Sequence, residues 1–229
     1  RLDPDTVMNP ATLHAARHAA GAVVRAVDMV LDGECERAFC NVRPPGHHAT
    51  REAAMGFCFF NNVAVGARHA LARPGIERVV VCDFDVHHGN GSEDIVAGDE
   101  RVLMLSTFQT ALYPFCGERP LADNIVSVLL LPYSRGDALR AAVTDQWLPA
   151  LERFQPQLVM ISAGFDAHRD DELGQLGWTE EDFGWVTRCL VEQANRHAQG
   201  RIVSVLEGGY DLRALMRSVE RHVRELLEI

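Results

Sequence analysis

Two kinds of apolar pattern alternate along the chain. Short unbroken apolar runs, rich in β-branched residues, are typical of strands that are buried on both faces of a sheet. They predict six strands, at 37–42, 78–83, 102–106, 125–131, 158–162 and 202–206. Longer segments with apolar residues every three or four positions predict five helices, at 10–31, 61–72, 137–154, 179–197 and 212–227. Asn9 is the expected N-cap of the first helix, with Pro10 at its first position and Gly33 after its end.

Strands that alternate with helices predict an α/β fold with a mostly parallel central sheet and helices on both of its faces. Four polar segments follow four of these strands. In chain order they are Arg43-Pro44-Pro45-Gly46-His47-His48, Asp83-Phe84-Asp85-Val86-His87-His88-Gly89-Asn90-Gly91, Ala163-Gly164-Phe165-Asp166-Ala167-His168 and Glu207-Gly208-Gly209-Tyr210. The carboxyl ends of parallel strands share one edge of a sheet, which is where open α/β folds bind ligands. We therefore expect the four segments to form one site.

The overall composition narrows the class of protein. Hydrophobic residues make up 47% of the 229 residues, enough for the core of a single domain over 1–229. The net charge of −10 argues against direct nucleic-acid binding, and no apolar run is long enough to span a membrane. The six cysteines include no Cys-x-x-Cys pair, so we expect reduced thiols and a cytoplasmic protein. The oligomeric state stays open, and a homo-oligomer is compatible with the sequence.

The segment after the second strand has the residue types of a metal site. Because side chains alternate along a strand, Asp83, Asp85 and His87 are expected to share one face. Buried carboxylates are costly unless a cation or hydrogen-bond donors compensate for their charge. Asp85 and His87 have the spacing of two ligands, and Asp166 is the best candidate for a third. This ligand set leaves a position open, as in catalytic zinc sites, although Mn, Fe(II) or a metal-free hydrogen-bonded strand end are alternatives.

The adjacent histidines His47 and His48 suit proton transfer near neutral pH. Their side chains point in different directions, so one can face a bound water while the other supports it. Asp83 could orient one imidazole and Asn90 the other, by the logic of catalytic triads. Tyr210, on a Gly-Gly turn, could donate a hydrogen bond to a developing oxyanion.

The aromatic loop residues and the remaining histidines indicate a function less specifically than the four polar segments do. Phe57 and Tyr113 could wall a narrow apolar channel for a slender substrate, and core packing is the alternative for both. Five histidines on predicted helices are interpreted as ordinary surface or boundary residues. They are His14, His18, His69, His197 and His222.

In their order along the chain, these segments resemble the zinc-dependent histone deacetylase family, with its bacterial class II-like members and acetoin-utilisation-type amidohydrolases. The resemblance rests on the four polar segments and on Gly56-Phe57-Cys58, and it spans most of the chain from Arg43 onward. It implies a three-layer arginase/deacetylase-like fold with an eight-stranded parallel sheet. It also implies that the chain lacks the N-terminal strand and loop that usually begin the family's domain.

The resemblance implies a ligand set for two kinds of cation. One Zn²⁺ ion per active site would be bound by Asp85, His87 and Asp166. A structural monovalent cation, usually K⁺, would be bound by positions that match Asp83, Asp85, His87 and Ser106.

The resemblance also implies catalytic roles. His47 and His48 match the histidine pair, with His48 as the general base and acid. Asp83 would support His47, and Asn90 would support His48. Tyr210 would polarise the amide carbonyl of the substrate.

Substrate-binding positions follow from the same motifs. They are Gly56, Phe57, Tyr113, Gly208 and Leu173. Acetylpolyamine-selective members carry a glutamate at the position of Leu173, so this leucine disfavours polyamines, while the neighbouring Glu172 keeps them as an alternative.

The function expected from the residues and the resemblance is metal-dependent hydrolysis of acetylated amines, most simply acetyl-lysine. Three alternatives stay open. They are an acetylpolyamine deacetylase, an arginase-like ureohydrolase with two manganese ions, and a catalytically silent module that binds acyl-lysine.

Overall fold

The structure is a computed structural model that describes residues 2–228. Its centre is a sheet of six parallel strands in the order β1-β6-β5-β2-β3-β4. The strands are β1 (Arg37–Cys40), β2 (Val79–Asp83), β3 (Val102–Gln109), β4 (Ile125–Leu130), β5 (Leu158–Ala163) and β6 (Ile202–Leu206). The parallel α/β sheet expected from the alternating pattern is therefore confirmed.

Seven α-helices cover the sheet within the described part of the chain. They are α1 (Thr12–Leu31), α2 (Asn62–Leu71), α3 (Asn90–Val96), α4 (Gly136–Ala142), α5 (Leu148–Phe154), α6 (Glu180–His197) and α7 (Leu212–Leu227). A π-helical turn, Val143–Trp147, joins α4 to α5. None of the helices between residues 2 and 228 is both long and apolar enough to cross a membrane.

The central strand β2 shows how the sequence builds three layers. All five of its residues are buried, and their side chains alternate between the two faces of the sheet. Val79 and Val81 pack in the cluster that includes α1 and α2, whereas Val80 and Cys82 pack in the cluster that includes α5 and α6. A strand that is apolar on both faces must be covered on both, so helices lie on each side.

The structure corrects several expectations about these elements. Over residues 2–228 the sheet has six strands, not the eight implied by the resemblance. The first helix begins at Thr12 rather than Pro10, because Asn9 accepts the Ala11 N–H (2.8 Å) and stabilises a turn before the helix. The helix α3 was not predicted, since seven residues at the end of a polar loop show no clear helical period.

His222 is a further correction, because it is fully buried rather than at a surface or boundary. It lies 2.7 Å from the Thr187 hydroxyl through Nδ1 and 2.8 Å from the Ser204 hydroxyl through Nε2. Burial lowers the pKa of His222 to about 3, so the ring is neutral. Its position follows from the four-residue spacing of Ser218, His222 and Leu226, which form the buried face of α7.

Candidate active site

The carboxyl ends of β1, β2, β5 and β6 bring the four polar segments together. β2 and β5 are neighbours, and Asp83 pairs with Ser162 at their carboxyl ends. β6 lies on the other side of β5, and β1 lies beyond β6. The loops that follow these strands therefore meet at one edge of the sheet, as the sequence predicted.

Asp85, His87 and Asp166 form one buried cluster whose candidate ligand atoms all lie within 4.8 Å of one another. The Nδ1 atom of His87 lies 3.1 Å from an oxygen of Asp85 and 3.1 Å from an oxygen of Asp166. Asp85 and His87 belong to the loop after β2, and Asp166 belongs to the loop after β5. The structure thus brings together the three residues predicted as metal ligands.

Backbone donors hold both carboxylates of the cluster in place. Asp85 accepts the N–H groups of His87 (2.8 Å) and Gly208 (2.9 Å), and Asp166 accepts the Val86 N–H (3.0 Å). A side chain at Gly208 would overlap Asp166, and one at Gly164 would overlap Asp85. The two glycines are therefore required for the close approach of the backbone to the carboxylates.

The electrostatics of the cluster favour a cation between its three side chains. Burial opposes a charged imidazole, but the Asp166 and Asp85 carboxylates outweigh it and raise the pKa of His87 to about 11. Burial, reinforced by the charge of Asp85, raises the pKa of Asp166 to about 6. Two carboxylates that are at most 1% exposed need positive charge, and one histidine with two carboxylates is a donor set that suits a divalent metal.

The two histidines of the pair have chemically different partners. His47 Nδ1 lies 3.1 Å from a carboxylate oxygen of Asp83, while its Nε2 lies 3.8 Å from Asp85. His48 Nδ1 lies 2.9 Å from Asn90 Oδ1, and the Asn90 amide nitrogen donates to the sulfur of Met55. Because Asn90 Oδ1 only accepts hydrogen bonds, His48 Nδ1 carries the proton and Nε2 keeps its lone pair.

The surroundings push the pKa values of the two histidines apart. Burial opposes the charged form of His47, but Asp85 and Asp83 outweigh it and raise the pKa to about 10. Burial lowers the pKa of His48 well below its usual value, and the positive charge of His47 lowers it further. A neutral imidazole therefore lies beside a charged one, with ring centroids 4.0 Å apart.

Asp83 does not join Asp85 and His87 in the metal cluster, although strand alternation predicted one shared face. Strand β2 ends at Asp83, so the alternation stops there. One oxygen of Asp83 faces His47, and the other accepts the Asp85 N–H (3.1 Å). Asp83 pairs with Ser106 across the sheet, and the buried Ser106 hydroxyl has no hydrogen-bond partner among the described residues.

A cavity of about 320 Å³ opens over the cluster. Four of the predicted substrate-binding positions line it: Gly56, Phe57, Tyr113 and Leu173. His48, His87 and Tyr210, which were predicted to act in catalysis or metal binding, line it as well. The fifth predicted position, Gly208, lies against Asp85 and Asp166 and is not among the residues that line this cavity, so its contact with substrate stays a prediction.

Tyr210 closes one side of the cavity. Its ring lies 6.0 Å from that of Phe57, in an edge-to-face arrangement. Burial, together with the charges of Asp166 and Asp85, raises the pKa of the phenol well above its usual value. The hydroxyl therefore stays protonated and can act as a hydrogen-bond donor near the cluster.

Two supporting carboxylates were not assigned a role from the sequence. Glu207 accepts the N–H groups of Gly46 (2.6 Å) and His47 (3.1 Å), and the Ser162 hydroxyl (3.1 Å). Glu207 thus fixes the loop that carries the histidine pair. Asp171 accepts the backbone N–H of Tyr210 (2.6 Å). The signal for Glu207 was its place directly before Gly208 in the fourth polar segment, whereas Asp171 had none.

Comparison with known proteins agrees with this geometry. Residues 1–226 match the family model described as the histone deacetylase domain. The chain is 42% identical, over 91% of its length, to the histone deacetylase-like amidohydrolase of Pseudomonas aeruginosa, and spans 57% of that protein. It is 41% identical, over 96% of its length, to the polyamine deacetylase HDAC10 of Mus musculus, and spans 34% of that protein.

A solved structure gives the same result for the fold. The HD domain of HDA15 superposes with a TM-score of 0.93 at 34% sequence identity, covering 99% of this chain and 66% of the other. Parallel strand order, polar loops and overall sequence thus point to one family. The chain belongs to the histone deacetylase domain family.

Proposed function

We propose that this chain is a zinc-dependent amidohydrolase that removes acetyl groups from acetylated amines, most simply from acetyl-lysine side chains. The observation that carries the proposal is the Asp85–His87–Asp166 cluster beside the histidine pair, at the base of a cavity that Tyr210 borders. Residues 1–229 would then act as a single catalytic domain. The free thiols of all six cysteines support a cytoplasmic location.

In the proposed reaction, one set of residues binds the metal ion and another residue transfers protons. A zinc ion held by Asp85, His87 and Asp166 would supply Lewis acidity toward the amide carbonyl and would acidify a water molecule. His48 Nε2 takes a proton from the attacking water and later donates it to the departing amine.

Two further groups stabilise the charge that develops during the reaction. The Tyr210 hydroxyl donates a hydrogen bond to the oxyanion that forms from the carbonyl oxygen. Charged His47, held by Asp83, adds positive charge beside His48. Asn90 fixes the tautomer of His48 throughout.

A monovalent cation such as K⁺ is part of the proposal. The partnerless Ser106 hydroxyl lies at the β2–β3 position that pairs with the buried Asp83. A buried hydroxyl oxygen beside a buried carboxylate offers the hard oxygen ligands that such cations prefer. Asp85 and His87 would complete the site.

Acetylpolyamines are the second candidate substrates. They are favoured by the 41% identity to the mouse polyamine deacetylase and by the exposed Glu172. However, a polycationic amine would gain from carboxylates along the cavity. The wall there is formed by apolar Leu173, and Asp5 is the carboxylate among the lining residues. We therefore propose acetyl-lysine rather than an acetylpolyamine as the substrate.

Two other functions fit the site less well. A paired-manganese ureohydrolase needs more carboxylate ligands, and one three-residue cluster is found between residues 2 and 228. A silent acyl-lysine-binding module would not need a complete histidine pair with both of its orienting groups.

The test is a turnover panel of acetyl-lysine peptides, longer acyl-lysines and acetylpolyamines, with added zinc and with a chelator. We expect the highest kcat/KM on acetyl-lysine, loss of turnover with the chelator, and recovery with zinc. Higher kcat/KM on acetylpolyamines would establish the second candidate. Tight binding of acetyl-lysine without any turnover would overturn the proposal in favour of the silent module.

A further inference from the structure

Asp171 is a buried carboxylate without a charged partner among the described residues. It is 5% exposed and lies in the loop after β5, five residues beyond Asp166. One of its oxygens accepts the backbone N–H groups of Tyr210 (2.6 Å) and Asp211 (3.0 Å). The other accepts the backbone N–H of Leu173 (3.0 Å). Three backbone donors thus compensate for the burial of this charge.

The backbone before Tyr210 is held at Gly208, whose N–H donates to Asp85 (2.9 Å) and whose carbonyl accepts the Phe165 N–H (2.9 Å). Tyr210 lies outside any helix or strand, directly after Gly208 and Gly209, and Gly209 adopts a left-handed φ of 134°. On its other side, α7 begins at Leu212, and the Asp211 side chain is engaged with the N–H groups of the first turn. Gly209 separates Tyr210 from the bonds at Gly208, and glycine restricts the backbone less than other residues do. The Asp171 bonds to Tyr210 and Asp211 are therefore the next ones that fix the position of the phenol.

We propose that Asp171 is a positioning residue that holds the Tyr210 phenol over the Asp85–His87–Asp166 cluster. The same carboxylate accepts the N–H of Leu173, which lines the substrate cavity. Asp171 therefore fixes both the catalytic hydroxyl and one wall of that cavity. The inference rests on the role proposed for Tyr210 in deacetylation. Beyond that role, Asp171 is the group that sets the position of the phenol, and it lies in the loop after β5, whereas Tyr210 lies in the loop after β6.

The variant Asp171→Asn tests the anchor with almost no change in shape. An amide has one accepting oxygen, so in either orientation its NH₂ group faces at least one backbone N–H that the carboxylate accepted. Asp170→Asn is the matched control, because Asp170 is exposed and its oxygens contact Arg169, Arg217 and His168 rather than the backbone of the Tyr210 segment. We expect kcat on an acetyl-lysine peptide to fall roughly tenfold or more in Asp171→Asn, and to change less than twofold in the control.

A double-mutant cycle with Tyr210→Phe separates positioning from general damage. If Asp171 acts through the phenol, Asp171→Asn has little further effect on kcat once the hydroxyl is gone. We therefore expect strongly non-additive losses in kcat. Equal losses in the presence and absence of the Tyr210 hydroxyl would overturn the inference, and so would an unchanged kcat in the single variant.

Amide hydrogen exchange measured by NMR tests the same inference without any activity. In Asp171→Asn, the amides of Tyr210, Asp211 and Leu173 should exchange faster, while the amide of Val86, bonded to Asp166, keeps its protection. Unchanged protection at the three amides would contradict the inference.

If the wild-type chain proves inactive on every acetylated substrate, the proposed function fails, and the exchange result still decides the role of Asp171. If Asp171→Asn does not fold, Asp171→Glu, which keeps the charge and displaces it, is measured in the same way.

Discussion

Two regions of the molecule bury histidine among polar partners, and they differ in charge. In the core between α6, α7 and β6, His222 contacts the hydroxyls of Thr187 and Ser204 and is surrounded by aromatic rings. Both of its ring nitrogens have neutral partners. At the edge of the sheet, His47 and His87 contact buried carboxylates instead.

The two regions also differ in access and in unused hydrogen-bonding capacity. A cavity reaches His48 and His87, and the proton-free Nε2 of His48 is available to a substrate. His222, in contrast, is fully buried and does not line that cavity. Burial of a histidine is therefore not in itself a sign of function. Excess buried negative charge combined with an open cavity is the more informative sign.

The largest loss of turnover is expected from Asp166→Ala, which removes one proposed ligand from the Asp85–His87–Asp166 cluster. The remaining Asp85 and His87 cannot hold zinc as tightly, so both metal content and turnover should be lost. Zinc per chain by elemental analysis and turnover of an acetyl-lysine peptide check this. Asp170→Ala, four residues further along and exposed, is the control. Full zinc content in Asp166→Ala would refute the ligand assignment.

Tyr210→Phe should reduce kcat by about 10²-fold, the usual loss when one oxyanion donor is removed. The cluster keeps its three ligands, so zinc content should stay at the wild-type level. Steady-state kinetics together with metal analysis separate the two quantities. Near-normal turnover in this variant would remove Tyr210 from the mechanism.

Asn90→Ala should reduce kcat by roughly tenfold or more, because His48 Nδ1 loses the acceptor that fixes its tautomer. Zinc binding should not change, since Asn90 lies outside the ligand set. The comparison of Asn90→Ala with Asn90→Asp is informative, because aspartate restores an acceptor at the same place. If neither variant differs from the wild type, His48 does not depend on Asn90.

His222→Phe tests the uncharged region and should change stability rather than activity. The substitution keeps an aromatic ring but leaves two buried hydroxyls with fewer partners, which costs about 1–3 kcal/mol in the free energy of unfolding. Urea denaturation measures that cost. The kcat of the folded protein should stay within twofold of the wild type. A large fall in kcat at full zinc content would show that the two regions are coupled.

The sequence predicted the parallel sheet and the convergence of the candidate site residues, because both depend on strong local patterns. Apolar runs mark buried strands, and Asp85, His87 and Asp166 lie within four residues of the ends of such runs. It failed where a tertiary contact decides the outcome. The anchoring role of Asp171 depends on a contact 39 residues away in the chain. The close approach of Gly208 to Asp85 and Asp166, which leaves no room for a side chain there, likewise appears only in the folded chain. His222 was misplaced because histidine is common on helix surfaces and the buried stripe of α7 was overlooked.

The central claim is that one divalent ion, held by Asp85, His87 and Asp166, supports deacetylation beside the His47–His48 pair. The most direct test is a zinc titration of chelator-treated protein while turnover of an acetyl-lysine peptide is followed. We predict that turnover starts near zero, rises linearly and reaches its plateau at about one zinc per chain, as expected for a single three-ligand catalytic site. Turnover that is independent of zinc, or a plateau that requires two metal ions per chain, would contradict the account.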